Sequence, residues 1–384
     1  MLVANIIEDS RIAGPQIRNL KVAKALKDKI YITLIFPKKN SNKLKKQCNL
    51  FGIKYLSVSL TTIKRSIFGI FLYILYFPIE TIMLARILKK NKFDLVHVSG
   101  GCWQCKGVFA AKLASIKVIW ELNDSRSPIL VRTIFYFLSH LANGFIFASE
   151  RTREYYRKLI PSSTKGFVIQ SPVDTNLFDP DLKFKKRIKF KKKIIIGTVG
   201  NINPNKDHIT FINTANKLKK YEKQITFVVA GPIYKSQKKY YRVLKSLIKS
   251  LKISNVYFVN GFNDVRPFLK IIDIYACCSS NESSPLAVWE AMAMKKPIVS
   301  TNVGDVNKFI KNGINGYITD VGDSKSLAKG IAKLIKIPNL RKKFGNISRK
   351  IASNKLNLNL CANSILKHFI AYIIKNDYSN ISFF

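Results

Sequence analysis

An α/β chain of two Rossmann-like, doubly wound lobes facing across a cleft is the fold this sequence predicts, and three observations carry it. Short apolar runs that read as strands alternate with helix-length stretches along the whole 384 residues, a pattern that gives parallel sheets covered on both faces. The alternation is interrupted at the basic stretch Asp181–Lys193 and restarts with Ile194-Ile195-Ile196-Gly197-Thr198-Val199. Each half opens with a strand that runs into a glycine-bearing turn and then a helix.

In the first half the strand-like runs are 2–7, 30–36, 53–58, 94–98, 117–121, 144–148 and 166–169. Helix-like stretches between them include 16–27, 66–90, 103–114, 129–141 and 150–159. Ser171-Pro172-Val173-Asp174 closes this half. After 194–199, strands are predicted at 225–230, 256–259, 273–278, 297–301 and 316–319. Helices are predicted at 207–220, 236–251, 264–271, 285–294, 305–311, 324–336 and 339–352. The predicted division is therefore a first lobe over 1–175, a basic connector over 176–193 and a second lobe over 194–358. Residues 359–384 follow, where the apolar run Leu360–Lys375 reads as a closing helix that packs back on the first lobe.

The length suffices for two domains. An apolar fraction of 47% and 11% aromatics supply large cores and exclude global disorder. The six cysteines have no disulfide-framework spacing. Cys277 and Cys278 lie in an apolar run, where cysteine acts as a small hydrophobe. Cys102-Trp103-Gln104-Cys105 is a lone pair without the further ligands zinc needs, so a structural role and no metal are expected. Met1–Ile7 enters a strand pattern directly, with no signal-peptide character. A reducing cytoplasmic setting is the expectation.

Sixty-six Lys and Arg against 22 Asp and Glu give a formal charge of +44. Nucleic acid and an anionic membrane surface are the partner classes this suggests. Lysine spread over solvated helix faces by a biased codon usage is the plain alternative. Aromatic signatures of RNA-binding modules are absent, which argues against nucleic acid. Ile67–Ile79 is apolar all round, with Lys64 and Arg65 before it and Arg86, Lys89 and Lys90 after it. It falls short of the ~20 residues that span a bilayer. It reads either as a buried helix under a basic face or as a shallow insertion into the cytoplasmic leaflet.

Glu282 and Glu290 stand in Glu-Ser-Ser-Pro-Leu-Ala-Val-Trp-Glu-Ala-Met-Ala-Met (282–294), just after the apolar strand Ile271–Cys278. Ser284 suits an N-cap and Pro285 a first helical position. Glu282 then lies on the loop entering a helix and Glu290 about a turn and a half inside it. Both carboxylates reach the strand's carboxyl end, where open α/β sheets bind ligands. Carboxylates accept hydrogen bonds from sugar or ribose hydroxyls; the plain alternative is the preference of Glu for helix starts. The N–H groups of Leu286 and Ala287 can donate to a phosphate oxygen, whereas Pro285 has none to give.

The glycine-bearing turns are Glu8–Gln16, containing Gly14 and Pro15, and Gly200–His208, containing Asn201 and Lys206. Neither is a dinucleotide fingerprint or a P-loop. Lys206 nevertheless sits at a helix entry, where N–H groups and the helix dipole already favour anions. His97, at a strand end, reads either as a cleft-facing group or as a satisfied structural histidine.

Residues 282–317, with Val-Gly-Asp at 303–305 and Asn-Gly-Ile-Asn-Gly-Tyr at 312–317, closely resemble the donor-site block of the family 4 glycosyltransferases, whose two-lobed fold is called GT-B. Val199-Gly200-Asn201 through His208, Ser149-Glu150, Val173–Phe178 and Ala13-Gly14-Pro15-Gln16 resemble further motifs of that family. The resemblance implies transfer of a sugar from a nucleotide-diphosphate sugar with retained configuration and no essential metal or other cofactor. It implies that Glu282 holds donor-sugar hydroxyls, that Glu290 holds the ribose and that Lys206 neutralises the diphosphate. Glu282 and Lys206 would thus serve catalysis, with Gly200, Asn201, Ser283, Ser284, Leu286, Ala287 and Glu290 completing the donor site. Asn302, Val303 and Gly304 would lie near the donor. Gly14, Pro15, His97, Asn123 and Asp124 would lie on the acceptor side. The chain departs from the family at Asn201, where arginine is frequent, at Ala13, which replaces one of two glycines, at Asn123, where histidine is frequent, and at Lys308, where an acid is common.

With the basic surface and the 67–79 segment, a lipid-linked glycan acceptor at the inner face of the cell membrane is expected, as in surface polysaccharide synthesis. A sugar-nucleotide epimerase of the same fold, a basic nucleic-acid-binding protein and a non-catalytic sugar-nucleotide binder are the alternatives.

Overall fold

The computed structural model describes residues 1–63, 66–184, 194–260 and 264–373. Lys64, Arg65, residues 185–193 of the expected connector and residues 374–384 of the closing segment lie outside them. The chain divides into two compact units, the first built from Met1–Pro172 and the stretch from Leu358 onward, the second from Val173–Asn357.

The first unit contains strands β1 (Leu2–Ile6), β2 (Tyr31–Pro37), β3 (Tyr55–Val58), β4 (Leu95–Gly100), β5 (Lys117–Leu122), β6 (Gly144–Phe147) and β7 (Gly166–Val168). Its helices are α1 (Gly14–Leu26), α2 (Asn42–Phe51), α3 (Ile67–Lys90), α4 (Lys106–Leu113), α5 (Ile129–Ser139) and α6 (Glu150–Tyr156). All neighbouring strands pair parallel in the order β3-β2-β1-β4-β5-β6-β7. Alternate strand residues serve opposite faces. Ala4, Val96, Val98, Trp120 and Phe145 pack with Leu84 and Leu88 of α3, Val108 of α4, and Phe135 of α5. Val3, Leu95, Ile119 and Ile146 pack with Val22 and Leu26 of α1 and with a last helix, Leu358–Ile373.

Asn42–Phe51 is a helix that apolar periodicity does not announce. It buries only Leu44 and Cys48, one i, i+4 pair in a lysine-rich stretch. Gly52 closes it in the left-handed region, at φ +64°.

The second unit carries β8 (Ile194–Val199), β9 (Ile225–Ala230), β10 (Val256–Val259), β11 (Ile274–Cys277), β12 (Ile298–Thr301) and β13 (Gly316–Thr319). They form a parallel sheet in the order β10-β9-β8-β11-β12-β13. Its helices are α7 (His208–Lys217), α8 (Lys238–Ser250), α9 (Arg266–Ile271), α10 (Leu286–Ala293), α11 (Val306–Phe309), α12 (Ser324–Lys336) and α13 (Pro338–Lys355); the last helix of the first unit, Leu358–Ile373, is α14. One face of the sheet buries Phe211, Ile212, Leu244, Leu327 and Ile331. The other buries Phe268, Val288, Trp289, Met292 and Ala352.

Val173 and Phe178 belong to that second core, although sequence places Val173 in the first lobe and Phe178 in the connector. Arg349 holds the segment by donating to the carbonyls of Phe178 (2.8 Å) and Thr175 (3.0 Å). The chain therefore passes between the units at Pro172–Val173 and again at Asn357–Leu358.

In each sheet the chain winds outward from a central strand in both directions. The reversal points are β1/β4 and β8/β11. Loops leaving the carboxyl ends of adjacent strands diverge there and leave room for a ligand.

Candidate active site

In the second unit the loops after β8 and β11 meet at the reversal point. Lys206 ends a 3-10 turn, Pro204–Lys206, whose start is capped by the Asn203 side chain accepting from the Lys206 N–H at 3.2 Å. Asp207 follows in the left-handed region at φ +45°, a sparsely populated conformation for a non-glycine residue. Its carboxylate holds it there by accepting from the Thr210 N–H (3.2 Å) and hydroxyl (2.6 Å) at the start of α7. This turn aims Lys206 at the β11 loop, where its Nζ donates to Glu282 Oε1 at 2.5 Å. The two side chains are 25% and 18% exposed, so the pair is shielded yet reachable.

Burial alone would lower the Lys206 pKa. The carboxylate of Glu282 outweighs it and holds the ammonium above its ordinary value. Lys206 is thus a permanent cation, and its remaining N–H bonds can serve an anion. Ser279 donates its hydroxyl to the same Glu282 Oε1 at 2.9 Å and fixes the carboxylate's orientation. No sequence motif marks Ser279; its signal is a hydroxyl residue two positions past the end of β11. The two loops are tied by the Ser280 N–H donating to the Asn205 carbonyl at 2.8 Å.

Small residues let these loops approach. A Cβ on Gly200 would stand 2.9 Å from Lys206 Cε, and one on Gly231 would stand 2.0 Å from the Gly200 carbonyl oxygen. The β12 loop closes in the same way, because a Cβ on Gly304, at φ +53°, would meet the Ser283 carbonyl oxygen at 2.1 Å. Val303 is fully buried and anchors that loop. Asn201 accepts from Asn203 Nδ2 at 2.8 Å, so its side chain braces the turn.

The helix after Glu282 begins one residue later than the sequence predicts. Pro285 is the N-cap of α10 and Leu286 its first residue. Ser284 is not the cap; its hydroxyl accepts from Trp289 Nε1 at 3.1 Å and locks the buried indole. The N–H groups of Leu286 and Ala287 open the helix and have no place in its internal ladder. Glu290 is half-buried, just over one turn in. The structure thus gathers Gly200, Lys206, Glu282, Ser283, Ser284 and the start of α10 around linked loops, with Asn201 bracing one of them.

In the first unit Gly14 opens α1, and Pro15 follows it. Asn123 and Asp124 lie just past β5, with Asn123 Nδ2 donating to Ser99 Oγ at 3.3 Å. His97 corrects the acceptor-side expectation. It is 3% exposed, with Nδ1 2.7 Å from Asn5 Nδ2 and Nε2 3.1 Å from Glu121 Oε2. Its ring meets the edge of Phe369 from α14. Glu121 also pairs with Arg18 at 2.9 Å, both side chains being fully buried. His97 is therefore a satisfied part of an internal Arg–Glu–His network.

Cys102 and Cys105 are buried, and burial pushes their thiols up to about 11 and 12. They remain protonated and packed. Among the described residues no group of three His, Cys, Asp or Glu side chains could hold a metal ion.

The 67–79 segment is the first half of the 24-residue α3. By length and composition α3 could cross a membrane, but Leu84, Ala85 and Leu88 in its second half are packed in the first unit's core. The first half buries only Gly69 and Tyr73 and exposes most of its apolar side chains. Ile67, Phe68, Phe71, Ile74 and Ile79 are 58–90% exposed. The start of α5 repeats this, with Ile129 80% and Leu130 71% exposed.

Residues 13–177 match the family model described as Glycosyltransferase Family 4, and residues 179–351 match that of Glycosyl transferases group 1. The chain is 25% identical over 296 residues, 72% of its length and 73% of the relative's, to a UDP-Gal:alpha-D-GlcNAc-diphosphoundecaprenol alpha-1,3-galactosyltransferase of Escherichia coli. It is 26% identical, over 76% of its length and 81% of the relative's, to an N,N'-diacetylbacillosaminyl-diphospho-undecaprenol alpha-1,3-N-acetylgalactosaminyltransferase of Campylobacter jejuni. A crystal structure of a glycosyltransferase from Rickettsia africae has the same fold, with TM-score 0.82 at 20% identity over 98% of this chain and 99% of that one.

Proposed function

The chain belongs to the family 4 glycosyltransferases, enzymes that transfer a sugar, and from that premise we propose that its donor is a nucleotide-diphosphate sugar held by the second unit. The observation that carries this is the Lys206–Glu282 pair at the β8/β11 reversal point. As the bond from the sugar to the diphosphate breaks, negative charge grows on the leaving oxygens. The Lys206 ammonium and the first N–H groups of α10 stand ready to meet it without reorganisation. Glu282, steadied by Ser279 and Lys206, accepts hydrogen bonds from sugar hydroxyls. Glu290 accepts them from the ribose. The resemblance to the family supports transfer with retention and without an essential metal. Membership in a sugar-transferring family favours transfer over an epimerase or a nucleic-acid-binding protein, and measurable sugar transfer would exclude a non-catalytic binder.

The acceptor is a lipid-linked glycan bound by the first unit, in surface polysaccharide assembly. Two relatives whose names specify diphosphoundecaprenol-linked sugars support this class. The exposed apolar halves of α3 and α5 and the charge of +44 support seating on the inner face of an anionic membrane, with apolar side chains in the leaflet and lysines on the headgroups. A thermal-shift panel of UDP, GDP and ADP sugars tests the donor assignment. One nucleotide class should raise Tm, and no response to any of them at millimolar concentration would refute it.

A further inference from the structure

The carboxylates buried in the first unit are paired, with one exception. Glu8 accepts from the Tyr73 hydroxyl at 3.0 Å and the Lys106 N–H at 2.8 Å. Glu80 takes the Lys106 ammonium at 2.5 Å. Glu121 lies between Arg18 and His97. Asp124 differs. Its Oδ1 accepts from the Tyr156 hydroxyl at 3.0 Å, but its buried Oδ2 has no hydrogen-bond partner among the described residues. Native structures leave few buried polar atoms unsatisfied, and those few call for a reason.

Place in the fold supplies one. Asp124 stands two residues beyond the carboxyl end of β5, the end at which open parallel sheets bind ligands. An ionised carboxylate can only accept hydrogen bonds, so the group that completes Oδ2 is a donor. We propose that Asp124 is an acceptor-binding residue whose Oδ2 takes a hydrogen bond from a hydroxyl of the incoming acceptor sugar and orients that oxygen, while Tyr156 fixes Oδ1. This rests on the reading of the first unit as the acceptor side.

The surroundings suit that task. Burial pushes the Asp124 carboxyl up to about 7, against the lowering effects of the Tyr156 hydrogen bond and of Asp124's own backbone N–H. The titratable groups facing it are the Tyr156 phenol from α6 and the Cys102 thiol from the β4–α4 loop, both held neutral by burial. A carboxylate raised in this way makes the folded state bind more protons than the unfolded one. Its ionisation therefore costs stability as pH rises toward and through about 7. Asparagine, which never ionises, should relieve that cost.

The test uses the full chain and a synthetic lipid-linked acceptor. Asp124→Asn should raise the acceptor KM at least ~10-fold, the loss of a charge-assisted hydrogen bond. It should leave nucleoside diphosphate affinity unchanged, flatten the rise of kcat/KM through about pH 7, and keep Tm at pH 8 equal to or above wild type. Tyr156→Phe, which frees Oδ1 without removing the carboxylate, should raise the acceptor KM by a smaller factor. Wild-type acceptor KM and pH profile in Asp124→Asn would overturn the proposal, as would an equal loss of nucleotide affinity. A wild-type chain that binds no nucleotide sugar would instead overturn the donor assignment, a separate readout.

Discussion

Replacing Lys206 by Met removes the ammonium and keeps most of the side-chain volume, which makes it the sharpest perturbation of the donor site. The change leaves a carboxylate that is 18% exposed facing an apolar group where it had a cation at 2.5 Å. Breaking a fully buried pair costs ~3–5 kcal/mol. Residual solvent on both partners reduces this to about 2 kcal/mol, or a Tm lower by roughly 4–8 °C. Transfer should suffer more. The ammonium faces charge that grows only as the diphosphate leaves, and a preorganised donor of this kind is worth ~3–4 kcal/mol, or about 10²–10³ in kcat. Adding Glu282→Gln separates the two effects. With neither charge present, the double variant should regain most of the lost stability while transfer stays lost, a coupling measured by a double-mutant cycle. Urea unfolding and a radiolabelled transfer assay supply the numbers. Wild-type transfer by Lys206→Met, or no stability recovered in the double variant, would refute the reasoning.

Glu282→Ala should lower transfer at least ~10² while nucleoside diphosphate binding stays within about threefold of wild type, since it removes contacts to the sugar rather than to the nucleotide; kinetics beside calorimetry will show whether both fall together. Glu121→Gln should lower urea stability by ~3–5 kcal/mol, because it strands the fully buried Arg18 guanidinium. Burial works against ionisation of Glu121, but Arg18 and His97 outweigh it and hold the carboxyl near 2. Its pairing energy is therefore present above the ordinary glutamate pKa and lost as pH falls through about 2, so an unchanged acid-unfolding midpoint in Glu121→Gln would count against the network. Phe71→Lys with Ile74→Lys, at positions 58% and 65% exposed, should weaken sedimentation with phosphatidylglycerol vesicles at least ~10-fold while changing stability by under about 0.5 kcal/mol per site. Wild-type sedimentation would remove the membrane role of α3.

Much of the fold was legible because its signals are local: apolar runs of strand length separated by helix-length stretches. Parallel strands covered on both faces read as apolar runs; 225–230 coincides with the fully buried β9, and 256–259 and 316–319 coincide with the partly buried β10 and β13. Two features were not legible. Asn42–Phe51 buries too little to leave a stripe. The passage between units falls at Pro172–Val173 because Phe178 and the bonds from Arg349 dock that segment, and sequence does not disclose which core a lone phenylalanine joins. At the donor site the glutamates, the lysine and the glycines could be named from spacing and resemblance. The Ser279 brace, the Ser284–Trp289 bond and the left-handed Asp207 depend on tertiary geometry. His97 shows the same limit from the other side. A histidine at a strand end looks available until Glu121, Asn5 and Phe369 are placed around it.

The donor assignment is tested most directly by titrating UDP, GDP and ADP into the wild-type chain and into Glu290→Ala by calorimetry. Glu290 lies just inside α10, behind the turn that carries Glu282. One nucleotide should bind the wild-type chain with a Kd in the micromolar range and bind Glu290→Ala at least ~10-fold more weakly, the cost of about 1.4 kcal/mol of ribose contact. Equal affinity in the two proteins would contradict the placement of the nucleotide at this helix.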